Sequence, residues 1–160
     1  MKRTIAVIFV TFLFFYTEYL LGGIFGKKYV PNLILLFIIF VDLTLGIRYG
    51  LFVAALGGII KDSFGIHVLG FYFFSFTFSA YITTILERFI FQKGSRALLL
   101  FLVFLVCIIN TLTQCILSTS FDQFSQFLTE IMIPETVSTL IVTPFLFKQL
   151  RKCVLKYFVL

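Results

Sequence analysis

The sequence predicts an all-α integral membrane protein, a bundle of six transmembrane helices that forms a single domain. Of its 160 residues, 61% are hydrophobic and only 12% are charged, whereas soluble domains are roughly half apolar and a quarter charged. The mean hydropathy is +1.11. Long apolar runs recur along the whole chain, and a helix needs about 20 such residues to cross a hydrocarbon core of about 30 Å.

Six runs approach that length, at about 5–26, 31–47, 49–64, 69–87, 97–120 and 131–148. The first, fourth and fifth are long enough on their own. The second carries Asp42, the third is bounded by Arg48 and Lys61, and the sixth contains Glu135 and two prolines. The uncharged centre of the third, residues 49–60, covers only about 18 Å of helix. A re-entrant segment is therefore an alternative to a third crossing.

The first run resembles a secretory signal, because Lys2 and Arg3 precede an apolar stretch. It has no small-residue cleavage site of the A-x-A type, and the apolar stretch continues to Phe25. These features favour an uncleaved first span.

Basic residues indicate the orientation, because Lys and Arg in short loops collect on the cytoplasmic side. Six spans with a cytoplasmic N-terminus place ten basic residues inside and three outside. The inner set is Lys2, Arg3, Arg48, Arg88, Lys93, Arg96, Lys148, Arg151, Lys152 and Lys156, and the outer set is Lys27, Lys28 and Lys61. A re-entrant third run would turn the basic cluster 88–96 outward. The count favours six spans with both termini in the cytoplasm.

Residues for common catalytic and metal sites are missing. One histidine and three cysteines do not make an ordinary zinc site, and no nucleotide-binding loop or serine-hydrolase motif occurs. We therefore expect no enzyme activity, catalytic residue, metal or cofactor. The net charge of +6 fits this topology beside anionic membrane lipid, so it does not indicate nucleic-acid binding.

Two stripes of small residues recur at a spacing of four. They are Gly50, Ala54 and Gly58 in the third run, and Ser75, Ser79 and Thr83 in the fourth. Small residues let helix backbones approach closely, so we expect the third and fourth helices to pack on each other. A self-dimer through Gly50 and Gly58 is the alternative.

Four polar side chains fall inside the runs. Asn110 and Gln114 share a face of the fifth helix, and we expect them to bond to another helix, with a ligand contact as the alternative. Carboxylates at membrane depth normally face the bundle interior or a counter-charge. Glu18 and Asp42 have no obvious partner in their own helices, although Asp42 lies near enough to the inner interface to meet Arg48.

The segment KDSFGIHVLG, residues 61–70, concentrates polar groups at one helix end. We expect Lys61 to extend toward the outer interface. Asp62 or Ser63 is placed to cap a helix terminus, with Gly65 and Gly70 in turn conformations that disfavour side chains. A recognition surface for another protein is the alternative, and His67 is expected to be an interfacial side chain.

These motifs resemble those of a known family. PNLILLF at 31–37 and GIRYGLFVAALGGIIKDSFGIHVLG at 46–70 are similar to the core of the rod shape-determining protein MreD family, and TVSTLIVTPFLFKQLRK at 136–152 is similar to its last span. Matching positions include Pro31, Gly57, Asp62 and Gly70. Asn32 stands where the family commonly has Asp, and Val68 stands where it often has Pro.

The resemblance implies a non-catalytic role in elongating the bacterial cell wall. It implies a fold like the substrate-binding subunits of energy-coupling-factor transporters, a place in the cytoplasmic (inner) membrane, and partnership with the transmembrane helix of MreC. MreB, RodA and its transpeptidase would be indirect partners. The expected partner surface is the outer turn with Lys61, Asp62, Phe64, Gly65 and Gly70. The alternative is a vitamin-binding subunit of such a transporter, which needs an outer pocket lined by groups such as Glu18, Asn110 and Gln114.

Overall fold

The computed structural model describes residues 2–26, 29–65, 70–90, 96–117 and 133–157. They form six α-helices and, within these ranges, no strand. The helices are α1 (Lys2–Phe25), α2 (Leu33–Leu45), α3 (Ile47–Phe64), α4 (Phe71–Ile90), α5 (Arg96–Leu117) and α6 (Ile133–Tyr157). This confirms the prediction of an all-α fold with six helices. His67 lies outside the described residues.

The short helix α2 lies at the centre of the bundle. All ten residues from Leu33 to Asp42 are buried, as expected for a helix that is apolar on every side. The other helices form an arc in which α1, α3, α4, α5 and α6 are successive neighbours, and α2 contacts all five. The hydrophobic core therefore runs along α2.

Local chemistry sets the ends of α2. The Asn32 side chain accepts the backbone N–H of Leu35 at 3.2 Å, which is the hydrogen bond of a helix N-cap. At the other end Gly46 has φ +87°, and its N–H donates to the carbonyl of Asp42 at 3.0 Å. Gly46 alone joins α2 to α3, so the two helices are tightly coupled.

Helix α3 is continuous over its 18 residues, or about 27 Å, and contains both Lys61 and Asp62. No re-entrant loop interrupts it. Helices α4 and α6 extend beyond the predicted runs, to residues 90 and 157. The added residues of α6 include Arg151 and Lys152, which are good helix formers and need no apolar surroundings.

Among the described residues, two helices are long and apolar enough to cross a membrane. These segments are Thr4–Ile24 in α1 and Ala97–Leu117 in α5. Only 11% of the apolar window in α1 is buried inside the bundle, so most of its apolar side chains face outward.

Candidate functional site

Polar side chains from five helices meet at one end of the bundle, which we call the polar end. They are Glu18 of α1, Asn32 before α2, Lys61 and Asp62 of α3, Tyr72 of α4 and Glu135 of α6. The C-terminal parts of α1 and α3 thus lie beside the N-termini of α2, α4 and α6. The count of basic residues predicts that these same termini lie on the outer side.

The centre of the polar end is an ion pair between Lys61 and Glu18. Lys61 Nζ lies 2.6 Å from Glu18 Oε1, and the two side chains are only 18% and 14% exposed. Glu18 Oε2 accepts the backbone N–H of Ile34 at 3.3 Å. The expectation that Lys61 extends outward is wrong, because a buried carboxylate on the neighbouring helix provides a closer partner.

Aromatic rings complete the surroundings of the Lys61 ammonium. It lies 4.8 Å from the ring centroid of Tyr72 and 5.4 Å from that of Phe76, distances at which a cation is attracted to an aromatic face. Lys61 is also attracted electrostatically to Glu135. The Lys61 ammonium of α3 therefore interacts with groups of α1, α4 and α6.

Asn32 forms a second connection, between α2 and α6. Its Nδ2 donates to Glu135 Oε1 at 2.9 Å, and its backbone N–H donates to Thr139 Oγ1 at 3.1 Å. Since Asn32 Oδ1 simultaneously caps α2, the residue must both donate and accept. An aspartate would cap the helix but would place a second carboxylate against Glu135.

Asp62 caps α4, as the sequence predicted. Its Oδ1 accepts the N–H of Tyr72 at 2.8 Å, and its Oδ2 accepts those of Gly70 and Phe73 at 3.0 and 3.1 Å. A negative charge at a helix N-terminus is also favoured by the helix dipole. The neighbouring candidate Ser63 instead donates to Ile59 within its own helix.

The two predicted turn glycines differ. Gly70 has φ +101°, a left-handed conformation that favours glycine. Gly65 has φ −83° and ψ 162°, which any residue adopts. The prediction for Gly65 was therefore wrong. Phe64, which precedes Gly65, is 71% exposed. The centroid of its ring lies 5.2 Å from the ring centroid of Phe15.

The small residues of α3 face two different neighbours. A Cβ on Gly58 would overlap the backbone of Phe73 in α4, whereas a Cβ on Gly50 would lie 2.5 Å from Asp42 Oδ1 in α2. Ala54 is fully buried between these positions. The hydroxyls of Ser75 and Ser79 are directed to α5 instead of α3. Both donate to Asn110 Oδ1, at 2.7 and 3.3 Å.

Asn110 and Gln114 are both buried on α5. Asn110 joins α5 to α4 through the two serines, which is the predicted hydrogen bonding between helices. Gln114 Nε2 has no hydrogen-bond partner among the described residues. Asn110 lines a crevice that is too narrow to admit a water molecule, together with Leu35, Cys107, Thr111, Glu135, Thr136 and Thr139.

Asp42 lies at the opposite end of α2, where it is 1% exposed. Its Oδ2 accepts the hydroxyl of Thr84 at 2.9 Å, and Gly50 leaves the space that its side chain occupies. The contact expected with Arg48 does not form, since Arg48 is exposed. Its carboxylate therefore faces a neutral partner.

Sequence reasoning gave no role to Glu135, Thr139 or Tyr72. A signal for Glu135 was present, because alternating spans bring the end of the third helix and the start of the sixth to the same side. The predicted topology thus places Lys61 and Glu135, which have opposite charges, on the same side of the membrane. No comparable signal marked Thr139, whose role depends on the rotation of α6.

A family comparison gives this arrangement its context. The sequence model of the rod shape-determining protein MreD family matches residues 2–153. The chain belongs to the MreD family. Comparisons with curated proteins and with solved structures found no match. MreD is a membrane protein family with a role in determining rod shape.

Proposed function

We propose that this MreD chain is a non-catalytic, multi-pass adaptor of the bacterial inner membrane. In this proposal its six helices span the membrane with both termini in the cytoplasm. It binds the transmembrane helix of MreC and thereby links MreB filaments inside the cell to RodA and its transpeptidase outside. The resemblance to energy-coupling-factor subunits stays a prediction.

The observation that supports this proposal best is the use of ionisable groups at the polar end. Lys61 forms an ion pair with Glu18, and Glu135 accepts a hydrogen bond from Asn32. Asp62 accepts backbone N–H groups at the N-terminus of α4. Such contacts fix helix positions rather than hold a reacting group. They support a fixed C-terminal end of α3, on which Phe64 is exposed for contact with another protein.

The geometry favours this proposal over a vitamin-binding subunit. Such a subunit needs a preformed pocket of roughly 300 Å³ or more near the outer face. Asn110 lines the narrow crevice and accepts hydrogen bonds from Ser75 and Ser79, and Glu18 is occupied by Lys61 and the start of α2. Two of the three groups that were expected to line a pocket, Glu18 and Asn110, are thus committed to contacts between helices.

Capture of MreC tests the proposal. The chain is co-expressed with the MreC protein of the same organism, solubilised in mild detergent and purified through a tag on either partner. We expect Phe64→Ser to reduce the recovered MreC about tenfold, because exposed aromatic side chains often dominate interfaces. Phe89→Ser is the matched control, since Phe89 is 80% exposed at the other end of the bundle. Equal recovery with both variants contradicts the proposed surface, and no recovery with the unmodified chain contradicts the adaptor role.

A further inference from the structure

A groove between α5 and α6 is separate from the polar end. It has a volume of about 450 Å³ and is lined by Leu100, Phe101, Phe104, Leu140 and Ile141. This volume lies within the roughly 300–1,000 Å³ of sites that bind small organic molecules. Its walls are exposed, with Phe101 at 50% and Ile141 at 70%. The groove is therefore open along the side of the bundle and apolar throughout.

Pro144 lies close to the groove residues of α6. It is inside the helix and has no N–H for the carbonyl of Leu140, which its ring also crowds. Leu140 is one of the two groove residues from α6. Away from the groove, α6 is attached through Thr139 and Glu135, which bond to Asn32. On α6 the groove residues therefore lie between the part that is fixed to Asn32 and the turn that contains Pro144.

Basic side chains follow the groove on the same face of α6. Lys148 comes seven residues after Ile141 and Lys152 comes eleven after it, so all three lie on one side of the helix. Lys148, Arg151 and Lys152 are exposed. Seven residues of helix correspond to about 10 Å. An apolar groove therefore leads, about two helical turns later, to a cluster of positive charges.

We propose that this groove binds an anionic phospholipid of the cytoplasmic leaflet. An acyl chain lies between Phe101, Phe104 and Ile141, and the phosphate is held by Lys148 with Lys152 nearby. Basic sites beside membrane helices attract anionic headgroups, and the apolar walls of the groove suit the acyl chain rather than the phosphate. This inference rests on the proposed function for the membrane location and for the cytoplasmic position of the end of α6.

Lipid retention in native mass spectrometry tests the site. The purified full-length chain is mixed in detergent with phosphatidylglycerol or with phosphatidylcholine of identical acyl chains. We expect stronger retention of phosphatidylglycerol, and about fivefold weaker phosphatidylglycerol binding in Lys148→Gln. Ile141→Trp fills the groove and weakens the binding of both lipids.

Two matched controls make the outcome decisive. Arg48→Gln removes an exposed charge elsewhere, and Ile116→Trp enlarges a side chain that is 69% exposed on α5, so neither is expected to change lipid binding. Equal retention of the two lipids, or equal effects of Lys148→Gln and Arg48→Gln, overturns the site. If Ile141→Trp keeps lipid binding but loses a co-purifying membrane protein, the groove is a protein site instead. A chain that is absent from the membrane fraction contradicts the proposed function before any lipid is compared.

Discussion

The carboxylates at the two ends of the bundle differ in how many hydrogen-bond and ion-pair partners they have. At the polar end, Glu18 has the Lys61 ammonium and a backbone N–H, and Asp62 has three backbone N–H groups. At the other end, Asp42 receives one hydroxyl from Thr84, and its Oδ1 has no partner among the described residues. A fully bonded carboxylate holds several helices in place, whereas a half-bonded one contributes little. We therefore expect the polar end to be far more sensitive to substitution.

The largest effect is expected for Lys61→Met, which leaves the largely buried Glu18 side chain, 14% exposed, without its counter-charge. Removing one partner of a buried ion pair costs about 3–5 kcal/mol. The free energy of unfolding in detergent, followed by denaturant titration, measures this loss. Arg48→Met is the control on the same helix, because Arg48 is exposed. Similar losses in the two variants would show that Lys61 is not held inside the bundle.

Asp62→Ala is expected to cost about 2–3 kcal/mol, since it removes a helix cap and leaves buried N–H groups at the start of α4 unsatisfied. Asp62→Asn keeps one acceptor oxygen and is expected to lose about half as much. The same unfolding titration ranks both against Ser63→Ala, whose hydroxyl bonds only within α3. If Asp62→Ala were no worse than Ser63→Ala, the cap would not stabilise the fold.

Asn32→Asp is expected to destabilise the chain by about 1–2 kcal/mol. The new carboxylate still caps α2 but cannot donate to Glu135 and repels it, and an unmet hydrogen bond to a charged group costs about this much. Adding Glu135→Gln to this variant is expected to restore most of the loss, because an amide at position 135 can donate to the carboxylate introduced at position 32. Unfolding of the single and double variants measures this, and absence of rescue argues against direct contact.

The smallest effect is expected for Asp42→Asn at the opposite end. The amide has the same shape and keeps an acceptor for Thr84, while no buried charge remains, so stability is expected to change by less than about 1 kcal/mol. A loss as large as that of Asp62→Ala would remove the contrast between the two ends.

The number of helices and the Asp62 cap followed from the sequence, because both depend on short-range patterns. Six apolar runs predict six helices, and an aspartate before a glycine-containing turn predicts a cap. The contacts of Lys61, Asn32 and Ser75 depend on which helices become neighbours. Asn32 and Glu135 are 103 residues apart, and no local pattern specifies that α6 packs against the start of α2. The choice of Lys61 between the interface and Glu18 likewise depends on the position of α1.

The most direct test of the account is a double-mutant cycle on the pair at the centre of the polar end. Unfolding free energies are measured for the unmodified chain, Glu18→Gln, Lys61→Met and the double variant, in one detergent and at one salt concentration. Such a cycle isolates the energy of the pair from that of each residue. The account predicts a coupling of about 2–3 kcal/mol in favour of the pair, with the double variant more stable than Lys61→Met. A coupling below about 0.5 kcal/mol, typical of exposed ion pairs, would contradict it.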